Sequence, residues 1–153
     1  MSGFKLYPLD INNKFHLKFT YSILKEREKS TIINLNKFTC PEYEKHIAYL
    51  KTSPYYCFYL GSYNNIFFGI QYVTKTFFYA AYHKRNRIKR IAKLFNIKDK
   101  GIIFSEACFK LLLDKHPELV KLKAEVNINN PISLVSAKKI GFKERSIYLE
   151  FIK

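Results

Sequence analysis

The chain has 153 residues, 48% of them hydrophobic, which is enough for one domain with a sizeable core, so we expect a single domain over 1–153. Its formal net charge of +15 fits a nucleic-acid or acidic-ligand partner, but the abundant Lys, Asn, Ile, Tyr and Phe also fit AT-rich codon usage. No apolar run reaches the about 18 residues of a membrane-spanning helix and no signal-peptide segment is present, so these features predict a cytoplasmic protein.

The first elements are predicted from periodicity and from capping signals. Weak alternation predicts a strand from Phe4 to Leu9, and apolar spacing between Asn12 and Lys29 predicts a helix. Thr39, followed by Pro41 and Glu42, has the pattern of a capping box. A second helix is therefore expected to begin at this threonine.

An aromatic-rich sheet region follows the second helix. The run Tyr55–Tyr63 predicts a strand, and Asn64–Asn65 predicts a hairpin turn because asparagine tolerates positive φ. The next run, Ile66–Tyr82, predicts one long strand with a bulge near Gly69 or after Thr74.

The second half predicts further strands and helices in an α+β (mixed α/β) fold. We expect a sheet of six or seven strands with helices on both faces. The elements expected here are a basic turn at His83–Arg87, a strand at Ile88–Ile97, a helix at Ile102–His116, a strand at Lys121–Asn127, a helix from Asn130 to Gly141 and a strand at Arg145–Lys153.

A glycine turn at the start of the third predicted helix favours an anion site. The turn runs from Lys98 to Ile103, and Gly101 is placed where the helix begins. Free N–H groups and the helix dipole at such a terminus attract phosphate. We expect a pyrophosphate on the backbone N–H groups of Lys100, Gly101, Ile102 and Ile103, with the Lys98 side chain nearby.

Residues 91–142 resemble the acyl-CoA-binding half of the Gcn5-related N-acetyltransferases (GNAT). That family has Arg/Gln-x-x-Gly-x-Gly/Ala at the phosphate turn, where this chain has Lys98-x-x-Gly101-x-Ile103. Its second block has Asn-x-x-Ser or Asn-x-x-Ala and then Lys-x-Gly-Phe. This chain matches that block with Asn130-x-x-Ser133 and Lys139-Ile140-Gly141-Phe142. It departs from the family at three positions: Lys98 replaces Arg or Gln, Ile103 replaces a small residue, and Ala137 replaces a tyrosine that protonates the leaving thiolate in many members.

The resemblance implies acetyl-CoA as co-substrate and a mostly antiparallel sheet with a splayed pair of strands. The splay is expected between the strands Ile88–Ile97 and Lys121–Asn127, and it would admit the pantetheine arm. Backbone pairing around Lys93, Leu94 and Phe95 would hold that arm. Asn130 and Ser133 would contact it in the family pattern, although both residues also fit simple helix capping. No histidine pair has metal-ligand spacing, so no metal is expected.

Direct acyl transfer to an amine needs a base but no protein nucleophile. Glu125 is the candidate base because Ala124 and Val126 are expected to face the core, which directs the carboxylate to the opposite face. Burial there would raise its pKa, but a solvated pair with Lys121 or Lys123 is the alternative. With alanine at position 137, Tyr148 is the candidate proton donor to the thiolate, and the alternatives are that the thiolate leaves unprotonated or takes a proton from solvent. The three cysteines fit reduced, inert thiols.

The acceptor is less well defined by the sequence. The stretch from Phe38–Thr39 through His46–Ile47 to Phe58–Leu60, and then Phe68–Ile70, is loosely similar to small bacterial acetyltransferases of amino-sugar nucleotides, which implies a small primary amine as acceptor. The Asn-x-x-Ser block without the tyrosine is instead typical of enzymes that acetylate ribosomal-protein N-termini. Tyr21, Tyr82 and His83 are candidates to line the acceptor pocket. The length of the acyl group and a homodimeric state stay open.

Two functions of other classes also fit the sequence. The chain fits a basic nucleic-acid-binding module with a patch formed by Lys84, Arg85, Arg87, Lys89 and Arg90. It also fits an acyltransferase fold that binds CoA without turnover, given the residues at positions 103 and 137. No RNA-recognition signature is present, so only weak nucleic-acid binding is expected.

Overall fold

A computed structural model describes residues 3–29, 38–98, 101–126 and 130–144. Within these ranges an antiparallel sheet is combined with five helices. None of the described helices is both long and apolar enough to cross a membrane. The elements are β1 (Phe4–Pro8), α1 (Lys14–Lys29), α2 (Tyr43–Lys51), β2 (Tyr55–Tyr63), β3 (Ile66–Thr74), β4 (Tyr79–His83), α3 (Arg85–Leu94), α4 (Ile102–Lys115) and α5 (Pro131–Lys139).

The four described strands follow chain order, β1-β2-β3-β4, and every neighbouring pair is antiparallel. The turn between β2 and β3 confirms the expected hairpin, since Asn64 and Asn65 have φ of 45° and 63°. A register shift lies opposite Gly61 and Ser62, so the bulge expected near Gly69 is also present. The sequence predicted six or seven strands, but the described residues form four. The strand predicted at Lys121–Asn127 was wrong for its described part, which makes one isolated bridge at Lys123, and the last predicted strand, Arg145–Lys153, falls outside the described residues.

The prediction of one long strand over Ile66–Tyr82 was wrong. The chain reverses after Thr74, and Val73 pairs with Tyr79 on the returning strand. Thr74 closes the reversal: its N–H donates to the Phe78 carbonyl at 2.9 Å, and its hydroxyl accepts from the Phe78 N–H at 3.1 Å. The turn contains no Gly, Pro or Asn, which is why its sequence did not indicate a hairpin.

The prediction of a strand over Ile88–Ile97 was also wrong, because these residues form most of helix α3. Ile88, Ile91 and Ala92 are buried, and their spacing at i, i+3 and i+4 forms one apolar stripe. In a strand, Lys89 and Arg90 would point to opposite faces of the sheet, so one cation would be buried. The helix instead keeps both cations exposed.

The two faces of the sheet carry separate apolar clusters. Phe68 and Val73 of β3 pack with Phe104 and Leu112 of α4 on one face. On the other face, α1 packs against β2 and β3 through a cluster formed by Phe19, Ile23, Leu60 and Ile70. Both faces of the sheet are therefore covered by a helix, as the sequence predicted.

Buried polar contacts and a corrected helix start complete the packing. The amide of Gln71 donates to the Cys108 carbonyl at 2.8 Å, which ties β3 to α4. Helix α2 begins at Tyr43, and its N-cap is Glu42 without a side-chain cap bond, so the cap predicted at Thr39 was wrong. Residues before α2 are held to α1 instead, since the Cys40 N–H donates to a Glu28 carboxylate oxygen at 3.0 Å.

A polar cluster attaches the end of α4 to β2. His116 contacts the Tyr59 hydroxyl through Nε2 at 2.8 Å and the Glu118 carboxylate through Nδ1 at 2.9 Å. The Tyr56 hydroxyl donates to the same carboxylate at 2.5 Å. Hydrogen bonds from Tyr56, from the Glu118 backbone and from His116 lower the pKa of Glu118 to about 2.

Candidate cofactor and acceptor sites

The chain after α4 joins the sheet at one point and then leaves it. Phe78 and Lys123 form an isolated parallel bridge, with Tyr79 N–H donating to Lys123 O at 2.7 Å and Lys123 N–H donating to Phe77 O at 2.9 Å. No described residue after Lys123 pairs with β4. The two parallel segments are therefore paired at Lys123, and the described residues that follow leave the edge of β4 unpaired, an arrangement called the splay below.

The edge of β4 at the splay carries backbone groups that can pair with an extended ligand. Successive residues of a strand direct their N–H and C=O groups to alternate sides. Because the Tyr79 N–H points to Lys123, the same groups of Ala81 and His83 point to the open side. The Lys84 N–H points the other way, to Phe68 O of β3 at 2.7 Å, which fits this alternation. β4 is the last described strand of the sheet, so this edge is open within the described residues.

Helix α4 begins with an open N-terminus at Gly101. This glycine has φ of +139°, a value that residues with a side chain rarely adopt. A Cβ built at this position would have no neighbouring atom of the described residues within 4 Å, apart from those of its own helix backbone and of the adjacent residues. No acidic residue lies in the first turn, and no side chain caps it. The first described N–H bond is from Ser105 to Gly101 O at 3.0 Å, so the N–H groups of the preceding positions face outward. The described part of the turn predicted for a phosphate, from Gly101 onward, therefore has an uncapped helix start, and phosphate binding there stays a prediction.

The other predicted cofactor residues are placed differently. Lys93, Leu94 and Phe95 lie at the end of α3 and offer no strand edge, so the prediction that they pair with the arm was wrong. Lys98 is exposed just before the turn, and Ile103 packs at the edge of the core. Lys100 and the side chain of Ile102 lie outside the described part. The open strand edge lies instead on β4, at Ala81 and His83.

Asn130 and Ser133 form the cap that the sequence indicated. The Asn130 side chain accepts from the Ser133 N–H at 3.2 Å, and Pro131 occupies the first turn of α5. Gly141, with φ of +103°, ends the helix and turns Phe142 back to stack on Tyr79 of β4, with ring centroids 5.9 Å apart. The second fingerprint block is thus packed against the strand that borders the splay.

Glu125 lies on the segment that parts from β4. It is exposed, whereas Ala124 and Val126 are half-buried, which confirms the expected alternation. The burial that was expected for its carboxylate is absent, so that prediction was wrong. Tyr148 lies outside the described residues, and its predicted role as a proton donor stays a prediction.

A groove on the α1 side of the sheet contains one of the predicted acceptor residues. Its volume is about 390 Å³, and the Tyr21 hydroxyl at its wall donates to Pro41 O at 3.0 Å. Lys84 connects this groove to the end of β4, because its Nζ lies 3.1 Å from Ser22 Oγ and 3.8 Å from Glu26 Oε1. The lining residues are Lys18, Tyr21, Ser22, Lys25, Glu26, Lys29 and Tyr43.

Tyr82 and His83 lie on opposite faces of β4. Tyr82 packs against the cluster on the α1 side, under the Arg27 guanidinium, which lies 4.8 Å from its ring centroid. His83 packs against Phe68 on the α4 side, with centroids 5.4 Å apart, and burial lowers its pKa to about 4. Only Tyr82 therefore shares a face with Tyr21, and His83 is uncharged at neutral pH.

Sequence reasoning missed the residues that border the splay on β4. Ala81 and His83 border the splay through their backbone N–H and C=O groups, and no side-chain motif indicates such a role. The available signal was the end of the aromatic run at Tyr82, just before the basic segment that starts at Lys84. Placing the strand there would have moved the splay to the position it has in the structure.

No protein-family model matches the sequence, and a search of curated proteins finds no significant match. Solved structures do match. The fold is similar to YncA, a putative acetyltransferase from Salmonella typhimurium solved with acetyl-CoA, with a TM-score of 0.68 and 12% identity over 95% of this chain and 82% of that one. It is also similar to RimL, a ribosomal L7/L12 alpha-N-protein acetyltransferase solved with coenzyme A, with a TM-score of 0.62 and 10% identity over 95% and 83% of the two chains.

A third similar structure is the microcin C7 self-immunity acetyltransferase MccE, solved with acetyl-CoA and AMP. Its TM-score is 0.59 at 11% identity, over 93% of this chain and 79% of that one. At identities this low, the three structural matches show that the fold is shared.

Proposed function

Because the chain has the fold of the Gcn5-related N-acetyltransferases, we propose that it binds acetyl-CoA and transfers the acetyl group to a primary amine. The observation that carries the proposal is the splay between β4 and 121–126, with the open start of α4 at Gly101. A splay with a free strand edge fits an extended arm, and an uncapped helix start fits its phosphates.

The residues present fit this cofactor. The backbone groups of Ala81 and His83 would pair with the amide groups of the pantetheine arm. The outward N–H groups at the start of α4 would bind the pyrophosphate, with the exposed Lys98 cation beside them. Since no atom approaches the missing Cβ of Gly101 within 4 Å, there is room for an anion at this turn.

Acetyl-CoA, when bound, would supply an activated acetyl thioester for attack by the amine nitrogen, and CoA would leave as its thiol after taking up a proton. The chain's own part is to position the amine and to remove its proton. Glu125 is the proposed base, directly or through a water molecule, because its exposed carboxylate lies just after the strands part. Burial raises the pKa of Cys108 to about 12 and also raises that of Cys57, so neither thiol is suited to act as a nucleophile.

The groove beside α1 is the proposed acceptor site. Lys18, Lys25 and Lys29 surround it, and Tyr21 and Tyr43 supply aromatic wall. Such a lining fits a small acceptor that carries phosphate groups and a flat ring, as an amino-sugar nucleotide does. A peptide N-terminus is the second candidate acceptor. A peptide without phosphate groups would need less positive charge in the groove.

Turnover tests the proposal. Purified protein is mixed with acetyl-CoA and a panel of amines that includes nucleotide-linked amino sugars and short peptides, and released thiol is measured. We expect transfer to an amino-sugar nucleotide, which Glu125→Gln lowers about 100-fold or more with little change in cofactor affinity. Glu106→Gln, on α4, is the matched control. Full activity of the Glu125 variant would assign proton removal to water, and preference for peptides would overturn the proposed acceptor.

A further inference from the structure

Helix α3 carries an exposed cationic surface that acetyl transfer does not use. We propose that this surface docks the phosphate backbone of a single-stranded nucleic acid. The surface consists of Arg85, Lys89, Arg90 and Lys93, all exposed. The proposal does not depend on the function proposed above.

Codon usage does not explain the composition of this helix. The chain has 22 lysines and five arginines, and three of the five arginines lie between residues 85 and 90. No Asp or Glu occurs anywhere between Glu44 and Asp99. An AT-rich bias spreads lysines along the chain, but it does not concentrate arginines, whose planar guanidinium binds phosphate through two hydrogen bonds.

The arrangement of the cations also opposes the helix's own stability. Arg85, Lys89 and Lys93 are spaced at i, i+4 and i+8, so they form one row of like charges about one turn apart. Arg85 also places a cation at the positive end of the helix dipole, and no acidic residue lies in the first turn. A bound polyanion relieves both repulsions, which gives the row a use.

Two neighbouring cations have structural roles and are left out of the surface. The Arg87 guanidinium donates to Phe67 O at 3.3 Å and lies 5.5 Å from the centroid of Phe19. Lys84 is largely buried beside Glu26. The four remaining cations have no ion pair with any described residue.

The arginines favour a phosphate backbone as the partner. A guanidinium binds phosphate through two parallel hydrogen bonds, and the row follows the helix axis, so a linear polyanion can contact it along its length. Phe95 is left out of the surface, because helical spacing places it on the side of Ile88 and Ile91, where its ring meets Tyr63 edge-on at 5.1 Å between centroids. A membrane is not favoured, because the apolar stripe of α3 is buried in the core.

The test is fluorescence anisotropy with a labelled 20-nucleotide RNA and a DNA of the same sequence. Four neutralised phosphates predict a slope of log affinity against log salt of about −2.8, which is about fiftyfold weaker binding at 200 mM than at 50 mM salt. Arg85→Glu/Lys89→Glu should reduce the slope to about −1.4. Phe95→Ala changes a side chain on the other side of the helix and should leave both the affinity and the slope unchanged.

Controls separate this proposal from its rivals. Lys5→Glu/Lys110→Glu makes the same change in net charge at exposed positions elsewhere and should keep the wild-type slope. Stabilisation by acetyl-CoA should be unchanged in the α3 variant, and equal binding of RNA and DNA or a preference for one both support a backbone contact. Poly-glutamate binding as tightly at equal charge would overturn the proposal. It would also fail if the α3 variant lost stabilisation by acetyl-CoA but kept the oligonucleotide slope.

Discussion

Gly69→Ala is the substitution that most sharply tests how β4 is held beside the splay. Gly69 pairs with His83, the last residue of β4. A Cβ at this glycine would lie 2.5 Å from His83 Cδ2, 2.7 Å from Tyr82 O and 3.3 Å from His83 Cα. Two of these three atoms belong to the backbone, so relief requires β4 itself to move.

The expected cost follows from that geometry. Overpacking of a closely packed site costs about 1–3 kcal/mol, and a clash with backbone places this variant near 3 kcal/mol. For a chain of 153 residues, that corresponds to a midpoint of thermal unfolding about 6–12 °C lower. Acetyl-CoA affinity should also fall, because Ala81 and His83 provide the proposed pairing edge.

Gly61→Ala is the matched control. Its Cβ would lie 3.2 Å from Cys108 Sγ and 3.2 Å from Phe68 Cζ, both side-chain atoms that can shift by a few tenths of an ångström. The loss of chain freedom in the unfolded state offsets part of the cost, so this variant should remain within about 1 kcal/mol of wild type. Denaturant unfolding followed by circular dichroism measures both. If Gly69→Ala unfolds at the wild-type midpoint, the close approach of the two strands is wrong.

Two further predictions concern charge. The folded pKa of Glu118 is about 2, below its ordinary value of 4.5, so its hydrogen bonds, led by the one from Tyr56, stabilise the fold above pH 4.5 and are lost as pH falls toward 2. The Glu118→Gln protein should therefore have a lower free energy of unfolding than wild type at pH 7, and this difference should shrink when unfolding is measured at acid pH. A difference that stays constant with pH would exclude the carboxylate as its source. Arg85→Glu/Lys89→Glu turns the repulsion between positions 89 and 93 into an attraction and places a carboxylate at a helix start, while the 85–89 pair stays like-charged, so it should raise the free energy of unfolding by about 1 kcal/mol at low salt and less at high salt. A loss of stability would show that these cations have structural partners.

The sequence predicted the elements whose patterns are long or bounded by clear signals. Helix α4 has its glycine at the start, and α5 has Asn130 and Pro131 at its first positions. The β2–β3 hairpin is announced by Asn64–Asn65. In each case local backbone preference and tertiary packing favour the same structure.

The sequence did not predict where the splay lies, because two errors in the predicted strands shifted its expected position. The turn after Thr74 is closed by a threonine hydroxyl, a weak signal, so two short strands were taken as one. The strand predicted at Ile88–Ile97 then filled the position next to the phosphate turn. The helical spacing of Ile88, Ile91 and Ala92 was visible in the sequence. The further apolar residues Leu94, Phe95 and Ile97 do not fit that spacing, and they obscured the helical pattern. For Glu125, the pattern predicted the face correctly, but exposure depends on tertiary neighbours that periodicity does not show.

Titration with acetyl-CoA, followed by thermal unfolding, tests the central claim most directly. If the splay and the open start of α4 bind the cofactor, wild-type protein should be stabilised increasingly with ligand, by about 2.7 kcal/mol at 100 times the dissociation constant. Gly101→Asp should abolish the shift, because it places an anion at the proposed phosphate site, whereas Gly141→Asp, at another exposed turn with positive φ and open space, should keep it. No shift of the wild-type protein at millimolar acetyl-CoA, or an undiminished shift in Gly101→Asp, would contradict the account.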